Sequence, residues 1–373
     1  MQNLTNAKTY EEDSRQIALT NFIEWEKLNG SNILVTGATG LIGATLIRGL
    51  MAYNEISGGT IYVSAFVRNT KKAETIFKDY LTKGWMNLII GDIMQEIYTA
   101  GPVDYIIHGA SETSSRAFVD QPVETILTTV EGSKNVLELA RQKQVKGMVY
   151  LSSMETYGTP NDGTVLTEDK MGYLNPLAVR SSYSESKRMA ENLCAAYVSE
   201  YNIPVKIIRL TQTFGPGISA DDERVFAEFA RCAMQGKDIC LQTEGKTKRM
   251  YLYTADAATA ILTILTRGKS GEAYNAANAA TFCSIREMAD MVAEKFGEGK
   301  CRVKITIPDR PNASYNPTQE IFMDMSRLES LGWKATNGLE EMYGRMIAGM
   351  IDFSVSTNLQ LPVYKDAISK GKI

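Results

Sequence analysis

Two hydrophobic rhythms alternate along this chain. Short unbroken apolar runs recur at Ile33–Val35 and within TIYVSAFVRN, MNLIIGDI, VDYIIHGASETSS, VKGMVYLSSMETYG and IPVKIIRL, each of strand length. Between them lie longer stretches in which apolar residues return every three or four positions, among them Val123–Arg141 and Ser184–Tyr201. That is the period of a helix with one buried face. Strands apolar at successive positions are covered on both faces, and strands separated by helices pair in parallel. The pattern predicts an α/β fold built on a doubly wound parallel sheet, with ligands outside the carboxyl ends of its strands. Residues 1–30 are polar and acidic with a helical stretch, expected to lie on the next domain through Ile17, Phe22 and Trp25 as a surface helix. The alternation breaks near Gly217. The remainder of the chain reads as a smaller lobe over the ligand edge, with about residues 250–275 returning to the main lobe.

Composition excludes more than it selects. The 373 residues are 44% hydrophobic and 22% charged, ordinary for a globular protein with a large core. A net charge of −3 argues against a nucleic-acid partner. No apolar run reaches membrane-span length and no signal-like start is present, so no membrane partner and a cytoplasmic location are expected. The five cysteines are scattered without a C-x-x-C pair, which points to neither a disulfide framework nor a thiolate metal site. A single histidine, His108, excludes any centre that needs two His ligands and leaves one candidate for a Ser–His or Cys–His pair. At a strand end it reads as a packed residue. Asp221-Asp222 reads as a solvated acidic pair, so no metal is expected.

Chemistry enters at the first strand–turn–helix. Gly37, Gly40 and Gly43 stand three apart. The first permits a tight turn, the second lets backbone approach a pyrophosphate, and the third lets helix pack on strand. The expected dinucleotide cradle is Gly37, Thr39, Gly40, Leu41, Ile42 and Gly43. Asp92 and Ile93 are placed for the adenine, while Gly109, Ala110 and Ser111 end a strand with residues small enough for the dinucleotide to lie close. An acid at the end of the second strand would accept ribose hydroxyls, but Arg68 and Asn69 stand there. Arginine suits a 2′-phosphate, so the expected cofactor is NAD(P), with NADP favoured over NAD. The alternative is an ordinary exposed arginine. On this reading residues 31–216 form a Rossmann dinucleotide-binding domain, 1–30 an N-terminal helical extension, and 217–373 a substrate-binding lobe.

The chemistry such a cofactor serves is suggested by VRSSYSESKRMAENLCAAY. Tyr183 and Lys187 lie four apart on a helix, hence on one face. Bringing a tyrosine from its usual pKa near ~10 to about 7 takes roughly 4 kcal/mol of preference for the phenolate. A solvated ion pair supplies only about 0–1 kcal/mol. The pair therefore works as a base only if partly desolvated and near a second positive charge, such as an oxidised nicotinamide. Ser152, Ser153, Glu155 and Tyr157 lie at a strand's carboxyl end, where ligands bind, and alternation would turn Glu155 to the same side as Ser153.

With Thr36-Gly37-x-x-Gly40-x-x-Gly43, Ser153, Tyr183 and Lys187 in order, the chain resembles the extended short-chain dehydrogenases/reductases, and within them the nucleotide-sugar epimerase/dehydratase family. GDI at Gly91, SSMETYG at Ser152, YSESK at Tyr183, RLTQTFGPG at Arg209, TKRMYLYTAD at Thr247, YNAAN at Tyr274 and LGW at Leu331 extend the match from about Ile33 to about Met346. The resemblance implies that Ser153 holds a sugar hydroxyl, that Tyr183 takes its proton, and that Lys187 lowers the tyrosine pKa and binds the nicotinamide ribose. It implies a nucleotide-sugar substrate met by Ser114, Arg116, Gln212, Arg249 and Asn275, and a homodimer joined through the two long helices. Gln212 replaces the family's asparagine, Thr129 replaces another, and an arginine-rich stretch is absent, with Arg310 and Arg116 as substitutes.

Glu155 resembles the glutamate of 4,6-dehydratases and uronate decarboxylases, a base or a positioning group for carbon-5 chemistry. Dehydratases precede it with an aspartic acid. Here that residue is Met154, which favours decarboxylation over plain dehydration and leaves epimerisation open. Two further readings stand beside these: an NADPH-dependent reductase of a keto sugar, and a non-catalytic dinucleotide sensor. The intact Ser153, Tyr183 and Lys187 set argues against the sensor.

Overall fold

The computed structural model describes residues 8–159, 165–219, 222–307 and 318–357. Asp221 and Arg310 lie outside them. In chain order the first half runs α1 (Lys8–Ala18), α2 (Trp25–Leu28), β1 (Asn32–Thr36), α3 (Leu41–Ser57), β2 (Tyr62–Val67), α4 (Thr70–Thr82), β3 (Met86–Ile90), β4 (Tyr105–His108), α5 (Ala117–Asp120), α6 (Pro122–Lys143), β5 (Gly147–Ser153) and α7 (Ser182–Tyr201). The second half runs β6 (Val205–Leu210), β7 (Gln212–Phe214), α8 (Val225–Gln235), β8 (Ile239–Leu241), β9 (Lys248–Tyr253), α9 (Thr254–Arg267), β10 (Ala273–Ala276), β11 (Asn278–Ser284), α10 (Ile285–Phe296), β12 (Val303–Ile305), β13 (Glu320–Ile321), α11 (Ser326–Glu329) and α12 (Leu339–Thr357).

The main sheet is parallel, in the order β10-β6-β5-β4-β1-β2-β3. Its order reverses direction between β1 and β4, and the crevice at such a switch point is where an open α/β sheet takes a ligand. Alternation along β1 divides the interior. Ile33 and Val35 join α3 and α9 in one core, while Leu34 joins Val136 and Leu137 of α6 and Ala190 of α7 in another. Helix α9 is buried along nearly its whole length, and β10 completes the main sheet against β6. The smaller lobe is organised on β9, which pairs with β7, β11 and β13, while β12 pairs with β8. Among the described residues no helix is long and apolar enough to cross a membrane.

Ile17, Phe22 and Trp25 pack on the next domain as expected, but helix α1 also buries part of its polar side. Ile17 is wholly buried and sits in a notch made by Gly49 of α3, where a Cβ would come within 2.5 Å of it. Trp25 stacks on Tyr53 with ring centroids 4.2 Å apart, and Phe22 is partly buried. Asp13, on the polar side of the helix, is buried too. Its carboxylate accepts from Tyr253 Oη at 2.5 Å and from Arg345 Nη1 at 3.0 Å. The first helix is thus a core element that joins β9 to α12.

Candidate functional site

A cleft of about 700 Å³ opens across the carboxyl ends of β1, β2, β4 and β5. At its floor the three glycines divide their work by crowding. Gly37 has φ +70°, and a Cβ there would lie 2.7 Å from the Gly109 carbonyl carbon and oxygen at the end of β4. A Cβ on Gly43 would stand 2.3 Å from the Gly37 oxygen, so that glycine is where α3 meets the turn. Gly40 lines the cleft and precedes α3, whose first turn carries no side-chain cap. Uncapped N–H groups at a helix start, beside a glycine wall, form a site for phosphate. Thr39, Leu41 and Ile42 line the same floor, and Gly109, Ala110 and Ser111 its side.

At the far end Arg68 lines the cleft together with Lys72, which sequence reasoning passed over. Asn69 caps α4 by accepting from the Lys72 amide at 3.0 Å, and this turns the helix so that Lys72 follows Arg68 on the same wall. The signal was available, since Asn69 is a good N-cap directly before a helical stretch. Asp92 is exposed, and its Oδ1 accepts from the Met94 amide at 3.0 Å. Ile93 and Met94 form the cleft wall there. His108 is buried as expected. Its Nδ1 lies 2.7 Å from Thr36 Oγ1 and its Nε2 3.2 Å from Ser133 Oγ, and burial, with the Lys187 charge, holds it down at about 3 and therefore neutral.

The reactive end gathers Ser153, Glu155, Tyr183 and Lys187. Ser153 is the last residue of β5, and Met154–Tyr157 is a tight 3-10 turn. Glu155 is therefore aimed by that turn and not by strand alternation. Its amide donates to Ser153 Oγ at 3.2 Å. The carboxylate is held by Arg180 Nη1 and Nη2, each at 3.2 Å, and by Ser184 Oγ at 3.2 Å. Lys187 donates to the Leu151 carbonyl at 2.7 Å, and its ammonium lies 5.7 Å from the centre of the Tyr183 ring. Phe118 stacks flat on Tyr183 at 4.2 Å and also lines the cleft, a contact invisible in the sequence because α5 is distant along the chain.

The protein by itself meets only the desolvation half of the requirement set out for a phenolate base, and Lys187, expected to lower Tyr183, is not among the groups that do so. Burial pushes Tyr183 up, the Glu155 charge pushes it further, and the Ser153 hydrogen bond with Arg180 and Arg224 opposes both. Burial pulls Lys187 down to about 8, with Glu191 resisting. The protein alone thus keeps the tyrosine protonated, and an added positive charge beside it is what would release its proton.

Met154 is buried in a small apolar cluster with Met250 and Met323, its sulfur accepting from Thr211 Oγ1 at 3.2 Å. No acid stands at that position. Gln212 lines the cleft with its Oε1 buried and without a partner, and Arg249 on β9 is half-buried with Nε in the same state. Of the two, Gln212 is the one that reaches the cleft; Arg249 does not line it. Asn275 differs from its expected role. Its side chain accepts from Tyr157 Oη at 2.6 Å and donates to the Leu166 and Asp324 carbonyls, which leaves it fully engaged inside the protein. Arg116 is largely exposed and paired with Asp120 at 3.0 Å, and Ser114 is exposed beside it; the loop residues around them that reach the cleft are Glu112, Thr113 and Ser115. Thr129 bonds Ser111 Oγ at 3.2 Å.

The model of the NAD dependent epimerase/dehydratase family matches residues 33–277. UDP-glucuronic acid decarboxylase 6 of Arabidopsis thaliana is 31% identical over 312 residues, spanning 83% of this chain and 85% of the relative. In structure, UDP-glucose 4-epimerase of Thermotoga maritima superposes with a TM-score of 0.73 at 21% identity, covering 86% of this chain and 99% of its own. A dTDP-glucose 4,6-dehydratase of Streptomyces venezuelae, a double mutant with NAD bound, gives 0.72 at 21% identity over 88% of this chain and 99% of its own. At these identities the two solved structures establish a common fold.

Proposed function

The chain belongs to the NAD dependent epimerase/dehydratase family, and within it we propose that the protein is a decarboxylase of a UDP-linked uronic acid. The observation that carries this reading is Glu155 beside Ser153 and Tyr183, with the thioether of Met154 where a dehydratase needs an acid. The name of its Arabidopsis relative, a UDP-glucuronic acid decarboxylase, supports the choice of substrate.

The glycine turn, the uncapped start of α3 and the small residues at the end of β4 fit a dinucleotide pyrophosphate. When bound, that cofactor supplies oxidation of a sugar carbon and its later reduction. Everything else is done by the chain. Ser153 orients the sugar hydroxyl, and Tyr183 accepts its proton. Lys187 keeps a positive charge beside the phenolate. Glu155 positions the carbon-5 end of the sugar. Gln212, which lines the cleft, donates to the diphosphate through its amide nitrogen, and Arg249 supplies a guanidinium from β9. Arg68 and Lys72, two cations on the cleft wall past the end of β2, favour NADP over NAD. They equally support a second reading, an NADPH-dependent keto-sugar reductase. The exposed Val123, Ile126 and Leu127 of α6 and Met189 of α7 suit a homodimer through these helices.

Mass spectrometry of products from a panel of UDP-sugars, with and without added NADPH, tests the reading. Loss of carbon dioxide from UDP-glucuronate without external reductant is expected. Conversion of keto sugars alone, and only with NADPH supplied, would replace it by the reductase.

A further inference from the structure

We propose that Glu191 is the positioning residue that keeps Lys187 a cation: one turn further along α7, its carboxylate is locked in place by Arg209 and Ser152. The inference rests on the part given to Tyr183 and Lys187 in the proposed function and adds the group that sustains it.

Lys187 is 3% exposed, and no acid among the described residues forms an ion pair with it. Its ammonium donates to the Leu151 carbonyl at 2.7 Å and otherwise faces aromatic rings, with the centre of Tyr150 at 4.8 Å and that of Tyr183 at 5.7 Å. An ammonium buried without a counter-ion tends to give up its proton. A neutral amine would offer no charge to the phenolate formed when Tyr183 is deprotonated.

Glu191 stands four residues past Lys187, so the two side chains share one face of α7. They also reach neighbouring residues of β5. Lys187 takes the Leu151 carbonyl, and Glu191 Oε1 accepts from Ser152 Oγ at 2.5 Å. Arg209 of β6 forks the same carboxylate, with Nη2 2.7 Å from Oε2 and Nε 3.0 Å from Oε1. Its Nη1 is spent on the Glu168 carbonyl at 2.7 Å and on Tyr157 Oη at 3.1 Å. A grip on both oxygens fixes where the negative charge sits.

The other titratable groups around Lys187 carry no charge of their own. Burial pushes up Tyr150 of β5, and Tyr183 and Cys194 of α7 itself, so all three stay protonated, and it holds His108 of β4 neutral. Glu155, in the turn after β5, acts on Tyr183. Glu138 of α6 meets α7 at Tyr197, about three turns beyond the lysine. Arg209 joins the group through Glu191. That leaves Glu191 as the charge opposing the pull of burial on Lys187.

The test uses the full chain with Glu191→Gln, Glu191→Asp and the double variant E191Q/R209M, which leaves no unpaired guanidinium in the interior. NMR of the lysine ε-carbons, with the Lys187 signal assigned by its loss in Lys187→Met, follows the ammonium through pH. Its midpoint should lie near 8 in the unaltered protein and fall by about one unit or more in E191Q and in the double variant, while E191D keeps it above that of E191Q. In the pH profile of kcat/KM for carbon dioxide release, E191Q should stay within about twofold of the unaltered protein near pH 6 and fall about fivefold near pH 8. A merely structural role would lower activity alike at every pH and leave the midpoint in place, and an unmoved midpoint overturns the proposal. If E191Q does not fold, the double variant decides by the same midpoint. Should the unaltered protein release no carbon dioxide from UDP-glucuronate while the midpoint still moves, the decarboxylase reading falls and the part of Glu191 stands. Release with an unmoved midpoint refutes the Glu191 inference alone.

Discussion

Replacing Gly43 by alanine tests whether the phosphate cradle is set by strand–helix packing. The new Cβ would stand 2.3 Å from the Gly37 carbonyl oxygen and 3.0 Å from Ala38 Cα, where ordinary contact begins at 3.4 Å. About 1 Å of separation is needed. The turn cannot yield it, because Gly37 is already pressed against the end of β4, with a built Cβ 2.7 Å from Gly109. The helix must move instead. Overpacking of this kind costs about 1–3 kcal/mol, and alanine returns about 1 kcal/mol as a better helix former than glycine. The net loss of about 0–2 kcal/mol corresponds to a melting temperature lower by up to about 3 °C. The cofactor should suffer more. An amide carried about 1 Å out of range loses a bond to a charged partner worth about 1.5–3 kcal/mol, so NAD affinity should fall roughly tenfold to a hundredfold. Gly40→Ala is the contrast, since its Cβ meets only the Gly37 oxygen at 3.1 Å: the fold should melt nearly unchanged while a methyl enters the cradle. Calorimetry gives the stability and titration with NAD the affinity. Gly43→Ala binding NAD within twofold of the unaltered protein, with the same melting temperature, would refute the packing argument.

Three other outcomes are open to measurement. Lys187, held down at about 8 by burial, loses its charge as pH rises through that value, so activity should fall on an alkaline limb near 8. The residual activity of Lys187→Met should lack the limb, and a limb of unchanged position in that variant would assign it elsewhere. Changing Arg68 and Lys72 together to serine should lower NADP affinity about tenfold more than NAD affinity, and an unchanged ratio would show that a 2′-phosphate is not read there. Burial pushes Asp13 up to about 6, above the unfolded value near 3.9. A raised folded-state pKa favours the protonated form, so its stabilisation is complete below about pH 4 and lost as pH rises through about 6, on the order of 2–3 kcal/mol. Denaturant unfolding of the unaltered protein and Asp13→Asn across that window should differ by this amount; parallel pH dependences would contradict it.

The parts of this protein that depend on neighbours along the chain are legible in its sequence. Unbroken apolar runs and helical periods carry the parallel sheet, because burial on one or two faces imposes its period within a few residues. The glycine turn is readable for the same reason, three positions answering to one strand–turn–helix. So is the Tyr183–Lys187 pair, one helical turn apart. How those parts are aimed is a matter of three-dimensional packing. Glu155 is visible as a residue, but its direction comes from a 3-10 turn, and the guanidinium it meets is 25 residues away. Asn275 is consumed by groups that include two more than a hundred residues distant along the chain, and Asp13 by Arg345 at a separation of 332. Helix α1 reads as a surface helix because its polar residues outnumber its apolar ones, yet several of those polar side chains are buried, and Asp13 finds its partners across the core. Pairings of that kind have no period. They exist only once the sheet order has brought distant segments together, and that order is set by packing of the whole chain.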